Sequence, residues 1–181
     1  MPTHVALLRG INVGGKNLLP MQHLAGMFQD AGCDDVRTYI QSGNVIFKAS
    51  QAKCGKLPAL IASGIADRFG YRTPVLLRSV EDLAAAIRHN PFLQAGAPEN
   101  WLHVLFLESQ PDAARVAALD PHRSPADSYA VHGREIYLQC PNGAGNTKLT
   151  NAYFDSKLAT VSTGRNWRTV LKLLELAQSL H

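Results

Sequence analysis

The sequence predicts an α+β protein built from two similar halves. Strand-like apolar runs alternate with segments of helical apolar spacing, two pairs of strands are joined by tight turns, and the same order of elements occurs twice along the chain. A chain of 181 residues can bury a core without disulfides or metals. We therefore expect two ferredoxin-like subdomains of the βαββ type packed together, with a C-terminal amphipathic helix.

The first half has the predicted order βαββαβ. Its elements are a strand at 3–11, a helix from Pro20 to Gly32, strands at 36–41 and 45–48, a helix at 57–70 and a strand at 73–77. Ser79, with Asp82 three residues later, predicts a capping box at the start of a linking helix, which Asn90-Pro91 ends. The first subdomain and this helix therefore occupy 1–89.

The second half repeats the order βαββ. Its elements are a strand at 102–107, a helix capped by Ser109 with Asp112 three residues later, hairpin strands at 129–131 and 136–138, a helix at 149–158 and a final helix from about Asn166. Residues 90–99 are predicted to form a linker, and 100–181 the second subdomain with its C-terminal helices. The two halves show no obvious residue-level repeat.

A glycine-rich loop follows the first strand. It fits G-x-x-x-x-G-K, but Asn17 stands where a nucleotide-binding loop needs a hydroxyl for magnesium, and the element order disfavours a parallel sheet. Two interpretations stay open: a tight loop in which the glycines supply positive φ, or an anion site without magnesium. The candidate contacts in this loop are Arg9, Asn12, Gly14, Gly15 and Lys16.

The remaining candidate contacts lie in three other segments. Ser42 and Asn44 belong to the first hairpin turn, where Ser42 lacks the G-x-S-x-G context of a catalytic serine. Lys148 follows a second glycine-rich loop at 141–146, for which a plain loop and helix cap is the alternative. Arg165 is expected in the first turn of the final helix, where a cation opposes the macrodipole and calls for an anion unless it is solvated.

Composition limits the classes of function. The net charge is +4, with the basic excess at 1–29 and 136–181, which weakly favours an anionic partner. The three cysteines are far apart and the seven histidines scattered, so we predict no metal, cofactor or disulfide. No export signal or membrane-length apolar stretch is evident, and we expect a cytoplasmic protein.

Several motifs together carry a family resemblance. In chain order they are Leu8 to Gly15, Gln41 to Val45, Asn90 to Phe92, Lys148 to Asn151 and Arg165 to Val170. They resemble the bacterial family known as domain of unknown function 1697, over residues 3 to 178. The resemblance implies a bacterial cytoplasmic α+β protein with ferredoxin-like parts. It implies no established activity, cofactor or catalytic residue, so the function is left open.

The leading functional hypothesis is binding of a phosphate-bearing ligand, either a small metabolite or nucleic acid. The cations Arg9, Lys16, Lys148 and Arg165 would surround it at the two glycine-rich loops. The alternatives are an enzyme acting on a phosphorylated or carboxylated small molecule, and a protein-interaction module. A basic stripe with exposed aromatics would indicate nucleic acid, a pocket with a titratable group an enzyme, and an exposed apolar patch an interaction module.

Overall fold

The computed structural model describes residues 1–180 and contains eight strands and eight α-helices in that range. The strands are β1 Thr3–Leu8, β2 Asp34–Tyr39, β3 Asn44–Lys48, β4 Val75–Ser79, β5 Leu102–Leu107, β6 Ser128–His132, β7 Glu135–Gln139 and β8 Ser162–Asn166. The helices are α1 Met21–Asp30, α2 Gln51–Cys54, α3 Leu57–Phe69, α4 Val80–Arg88, α5 Pro91–Gln94, α6 Ala113–Ala117, α7 Asn151–Leu158 and α8 Trp167–Gln178.

The strands form two four-stranded sheets. Their orders are β2-β3-β1-β4 and β6-β7-β5-β8, and every pairing is antiparallel. The α+β class predicted from the sequence is therefore confirmed. None of the helices within residues 1–180 is both long and apolar enough to cross a bilayer.

The last strand, β8, was not predicted. Its sequence Ser-Thr-Gly-Arg-Asn lacks the alternating apolar residues that indicate a strand. Pairing with β5 holds it in place, from His103 opposite Asn166 to Leu107 opposite Ser162. The predicted βαββ order of the second half is thus incomplete, because α7 and β8 extend it to βαββαβ.

The chain divides into two units. Unit 1 comprises Met1–Ala84 together with the segment from Lys172 onward, and unit 2 comprises Ala85–Leu171. The predicted boundaries at 89 and 100 differ from this division, since it falls inside α4 and α8. The predicted linker at 90–99 contains α5, whose first turn is capped by the buried Asn90 side chain.

The two units repeat each other residue by residue along their central strands. In unit 1, β1 pairs with β3 on one side and β4 on the other, and in unit 2, β5 pairs with β7 and β8 in the same register. The equivalent positions are His4 and His103, Val5 and Val104, Phe47 and Leu138, Leu77 and Gly164, Arg78 and Arg165, and Ser79 and Asn166. The shared His-Val pair shows a repeat that the sequence comparison of the halves missed.

Each unit has its own apolar core. In unit 1, Leu24 and Phe28 of α1 are fully buried, and the Phe28 ring lies 5.1 Å from that of Phe47 on β3. In unit 2, the rings of Tyr153 and Phe154 on α7 lie 5.2 Å apart within the core. Burying a side chain of this size stabilises the fold by about 1.5–3 kcal/mol, so the cores hold the loops at the strand ends in place.

Helix starts were predicted unevenly. The capping box at α4 is confirmed, because Ser79 N donates to Asp82 Oδ2 at 2.9 Å and Asp82 N donates to Ser79 Oγ at 3.0 Å. The predicted cap Ser109 is wrong, since α6 begins only at Ala113 after Asp112. The Ser109 hydroxyl lies 3.1 Å from that of Thr160 instead, so a tertiary contact uses the group expected to cap a helix.

Candidate functional site

The predicted site residues fall into two groups, one in each unit. The glycine-rich loop after β1 and the hairpin turn between β2 and β3 both belong to unit 1, and they contain Arg9, Asn12, Gly14, Gly15, Lys16, Ser42 and Asn44. Lys148 and Arg165 belong to unit 2.

The glycines of the first loop form a tight turn. Val13 and Lys16 make an antiparallel bridge, with Lys16 N donating to Val13 O at 3.0 Å. Gly14 and Gly15 between them have φ of +57° and +73°, as the central residues of a type I′ turn do. The Lys16 amide is therefore used by the turn, while the Lys16 side chain is exposed.

Asn12 braces the same loop. Its side-chain amide donates to Leu19 O at 2.9 Å and to Gln41 O at 2.8 Å, and its Oδ1 accepts from Leu19 N at 2.8 Å. The bond to Gln41 joins the loop to the hairpin turn. The Asn12 amide thus holds two backbone segments together at one end of the sheet.

The hairpin turn is braced by Asn44. Asn44 is fully buried and donates from Nδ2 to Tyr39 O at 3.1 Å and to Ser42 Oγ at 3.0 Å. Ile40 in this turn has φ +49°, an uncommon value for a β-branched residue. Ile40 is also exposed, as are Val13 and Leu18 of the adjoining loop. The predicted contacts in unit 1 therefore lie in two braced loops with apolar tips.

In unit 2 the candidate site is a cavity of about 390 Å³. It opens beside β5, β7 and β8, and the second glycine-rich loop contributes to its wall. The residues that line it are His103, Leu105, Leu138, Ala144, Thr147, Leu149, Thr150, Asn151, Gly164, Arg165 and Asn166. One wall residue is a permanent cation, and none of these residues carries a carboxylate, so the site favours an anion.

Arg165 is the cation of this cavity. The prediction that it lies in the first turn of the final helix is wrong, because it occupies the fourth position of β8 and is only 8% exposed. Its guanidinium donates to Thr163 Oγ1 at 2.9 Å and to Gly164 O at 2.7 Å. Burial lowers the pKa of Arg165 to about 10, which leaves it protonated at neutral pH.

Two helices begin at the cavity wall. Thr150 caps α7 by accepting from Tyr153 N at 3.2 Å, and Asn166 Oδ1 accepts from Thr169 N at 2.8 Å at the start of α8. Asn151, the first residue of α7, donates to Ser162 Oγ at 2.8 Å. Amides at a helix start and the positive end of its dipole favour a bound anion, so both helices add to the effect of Arg165.

His103 brings a titratable group to the wall. Burial lowers the pKa of His103 below its usual range, so the imidazole is neutral at pH 7. The described residues 1–180 offer no hydrogen-bond partner to its ring nitrogens. A neutral imidazole facing a cavity can accept a proton from a ligand or donate a hydrogen bond to it.

Lys148 does not line the cavity. Its side chain is exposed, and its backbone is fixed by Ser124 and Arg123: Lys148 N donates to Ser124 Oγ at 3.2 Å, and Arg123 Nε donates to Lys148 O at 2.8 Å. The Arg123 guanidinium also lies 4.0 Å above the ring of Tyr153. These contacts anchor the second glycine-rich loop to the core of unit 2.

The cysteines do not supply a nucleophile to this site. Cys140 is fully buried, and burial raises its pKa to about 11, so its thiol stays protonated and weakly reactive at neutral pH. Within residues 1–180, no three His, Cys, Asp or Glu side chains gather at metal-binding distance. The chemistry of the cavity therefore depends on Arg165, His103 and the helix starts.

Most wall residues were missed by reasoning from the sequence. His103, Thr147 and Asn151 carry no local motif of a ligand site. The one available signal was the His-Val pair shared by β1 and β5, which marks His103 and His4 as equivalent. That signal identifies a repeat and not a cavity.

The fold and the site thus define an α+β protein of two repeated units, with a cavity in unit 2 that Arg165 and His103 line. A family comparison matches residues 1–137 to the protein family of unknown function DUF1697, and the chain belongs to that family. The resemblance predicted from the motifs is confirmed. The motifs that begin at Lys148 and Arg165 lie beyond the matched residues.

A solved structure shares the fold. The conserved bacterial protein SP0830 from Streptococcus pneumoniae is 23% identical, with a TM-score of 0.75, and the match covers 99% of each chain. At this identity the likeness concerns the fold. No curated protein matches the sequence.

Proposed function

We propose that the chain binds a small phosphate-bearing metabolite in the cavity of unit 2. The observation that supports this most strongly is the buried Arg165 at the wall of a cavity whose lining has no carboxylate. The guanidinium keeps its positive charge at neutral pH, and a cation at the wall of a concavity attracts an anion. Arginine also presents its donors in a planar fork that suits the oxygens of phosphate.

The size of the cavity favours a small molecule over nucleic acid. About 390 Å³ falls in the range of small-molecule sites, which runs from roughly 300 to 1,000 Å³. Nucleic acid would instead be held by a stripe of exposed cations and aromatic side chains. Arg165 is buried in a concavity, and the aromatic residues of α7 are buried in the core.

The first glycine-rich loop has a secondary role in this proposal. Lys16 is exposed at the turn and Arg9 is partly exposed at the end of β1, so both can attract anions to unit 1. The amide groups of Asn12 and Asn44 already hold the loops together, and we assign them no direct ligand contact.

We also propose the setting in which the protein acts. Three buried free cysteines suit the reducing cytoplasm of a bacterium. The strand order β2-β3-β1-β4 with βαββαβ connectivity supports a ferredoxin-like origin for each unit.

The test combines calorimetry and thermal shift with inorganic phosphate and a panel of phosphorylated metabolites. The decisive variant is Leu138→Phe, which introduces at the cavity wall the residue that unit 1 has at the equivalent position, Phe47. It should weaken binding at least tenfold. The matched control Phe47→Leu makes the opposite change in unit 1 and should leave binding unchanged.

Ligand at about 100 times its Kd should stabilise the wild type by about 2.7 kcal/mol, which raises the midpoint by several degrees. The proposal fails if no phosphorylated compound binds the wild type, or if Leu138→Phe binds as tightly as the wild type.

His103 favours a second candidate, an enzyme acting on the same phosphorylated ligand. Its neutral imidazole lines the cavity, where it can serve as a general base, and Arg165 can stabilise charge that develops in the transition state. Under this hypothesis, product forms when a bound metabolite is incubated with the wild type, and His103→Gln binds the metabolite without forming product. Phosphorus NMR of the mixture distinguishes binding from turnover.

A further inference from the structure

Two side-chain amides line the cavity of unit 2, and the protein holds one end of each. They belong to Asn151, the first residue of α7, and to Asn166, the last residue of β8. An amide accepts hydrogen bonds at its carbonyl end and donates them at its amino end. The end that is already bonded within the protein therefore decides what the other end can offer to a ligand.

Asn151 offers an acceptor. Its Nδ2 donates to Ser162 Oγ at 2.8 Å, and the Ser162 hydroxyl donates to Asp155 Oδ1 at 2.7 Å. Ser162 is fully buried, and because its proton is directed to a carboxylate, it can only accept from Asn151. The amide therefore cannot turn round without losing this bond. Asn151 Oδ1 has no partner among residues 1–180, and it is open to solvent.

Asn166 and Thr150 offer donors. Asn166 Oδ1 accepts from Thr169 N at 2.8 Å, which leaves Nδ2 without a partner in the described part of the chain. Thr150 Oγ1 accepts from Tyr153 N at 3.2 Å, so its hydroxyl proton can still be donated. Both residues are exposed. The wall thus combines a fixed acceptor with donors in addition to Arg165.

Hydroxyl groups match this combination, because each can donate to Asn151 and accept from Asn166 or Thr150. A ligand ammonium would also satisfy Asn151, but the wall has no carboxylate to balance its charge. A nucleobase fits less well. An asparagine recognises adenine through both ends of its amide, and one end of each amide is already bonded here. No Phe, Tyr or Trp lines the cavity to stack on a base.

We propose that the ligand of this cavity is a sugar or polyol phosphate, and that Asn151 determines its specificity by accepting a hydrogen bond from a ligand hydroxyl. This inference rests on the proposed function and names the class of its ligand. Ser162 is a positioning residue, since it acts on the ligand only through the orientation of the Asn151 amide. Asp155 in turn fixes the direction of the Ser162 hydroxyl.

The test compares phosphates of equal carbon number with and without hydroxyl groups. The terminal phosphates of glycerol, ribose and glucose are paired with propyl, pentyl and hexyl phosphate, and calorimetry on the full-length chain measures each Kd. At least one sugar or polyol phosphate should bind the wild type about tenfold more tightly than its alkyl partner, as two neutral hydrogen bonds can provide. Adenosine monophosphate should bind no more tightly than ribose phosphate.

Variants then locate the discrimination. Asn151→Ala should weaken binding of the preferred sugar or polyol phosphate about fivefold, the effect of losing one neutral hydrogen bond, and leave its alkyl partner unaffected. Ser162→Ala should lower the ratio of the two affinities in the same direction, because the amide is then free to turn. A loss of stability alone would weaken both ligands alike. The matched control Asn100→Ala removes an exposed asparagine of unit 2 that does not line this cavity, and it should change neither Kd.

Two results would overturn the inference and leave the phosphate site intact. In the first, alkyl phosphates bind the wild type as tightly as their hydroxyl-bearing partners. In the second, Asn151→Ala leaves the ratio of the two affinities unchanged. If no phosphorylated compound binds the wild type, the proposed function fails and this inference fails with it.

Discussion

Unit 1 and unit 2 share their strand order and register but differ at a few equivalent positions. Where unit 1 has Leu77 on β4, unit 2 has Gly164 on β8, and where unit 1 has Phe47 on β3, unit 2 has Leu138 on β7. Both smaller residues line the cavity of unit 2. Protein interiors are close-packed, so smaller side chains on the same arrangement of strands leave empty space. A cavity can therefore form without any additional loop.

The equivalent histidines of the two units also differ in how deeply they are buried. His4 in unit 1 is buried, and its ring lies 5.7 Å from that of Phe47. His103 in unit 2 is only half-buried and lines the cavity, opposite the smaller Leu138. Two cavities of unit 1 lie along its helices, around Leu60 of α3. The comparison indicates that unit 1 uses these strand positions for packing, whereas in unit 2 they line a cavity.

The largest expected effect compares Phe47 with Leu138. Phe47→Ala should lower the free energy of unfolding by about 3–5 kcal/mol, the usual cost of deleting a fully buried aromatic ring. Leu138→Ala should cost about 2 kcal/mol, at the low end for leucine, because one side of Leu138 already faces a cavity. Urea denaturation measures both values. Equal losses would show that the two positions are packed alike.

The next largest loss of stability is expected in the hairpin turns of the two units. Gly43 has φ +83°, and a Cβ there would lie 2.7 Å from Ile11 Cδ1 and 2.9 Å from Leu8 Cβ, so Gly43→Ala should cost about 2–4 kcal/mol. Gly133 in the hairpin of unit 2 has φ +58° but open space, with Glu135 Oε2 nearest at 3.8 Å. Gly133→Ala should cost only about 1 kcal/mol, as strain alone. Denaturation midpoints of the two variants decide this, and a larger loss at Gly133 would contradict it.

A pH dependence is expected from His103. Because burial lowers its pKa, the folded protein takes up a proton less readily than the unfolded chain does. The contribution of His103 to stability is therefore full above the unfolded pKa of about 6.5, and it is lost as pH falls through that value toward the lower folded pKa. His103→Gln should flatten this part of the curve of melting temperature against pH, while His122→Gln at an exposed position should not. Identical curves for the wild type and His103→Gln would refute the expectation.

The smallest effect is expected at Lys16. Its side chain is exposed in a turn held by backbone bonds, so Lys16→Ala should change the free energy of unfolding by no more than about 0.5 kcal/mol. Asn12→Ala in the same loop removes three hydrogen bonds and should cost clearly more. Thermal melts of both variants show whether the Lys16 side chain or the Asn12 hydrogen bonds stabilise the loop. If Lys16→Ala unfolds the protein, the lysine is structural.

Local patterns predicted the elements that have strong local signals. The helix at α1, the capping box at Ser79 and the first hairpin follow from apolar spacing and turn residues, and each occurs close to its predicted bounds. Local patterns did not predict β8, because its residues have little strand propensity. Pairing with β5 stabilises this strand instead. Of the residues that line the cavity of unit 2, Arg165 was named as a candidate contact, but it was expected in the final helix and lies on β8.

The sequence by itself determined the class of fold, the membership of the family and the order of most elements, because these depend on periodicities and caps within a few residues of one another. Tertiary structure decided the rest. Gly164, Leu138 and His103 are far apart in the chain, and they meet only because β7 and β8 pair with opposite sides of β5. A cavity is the space left by side chains from different strands, so its existence depends on their register, and no local stretch of sequence encodes it.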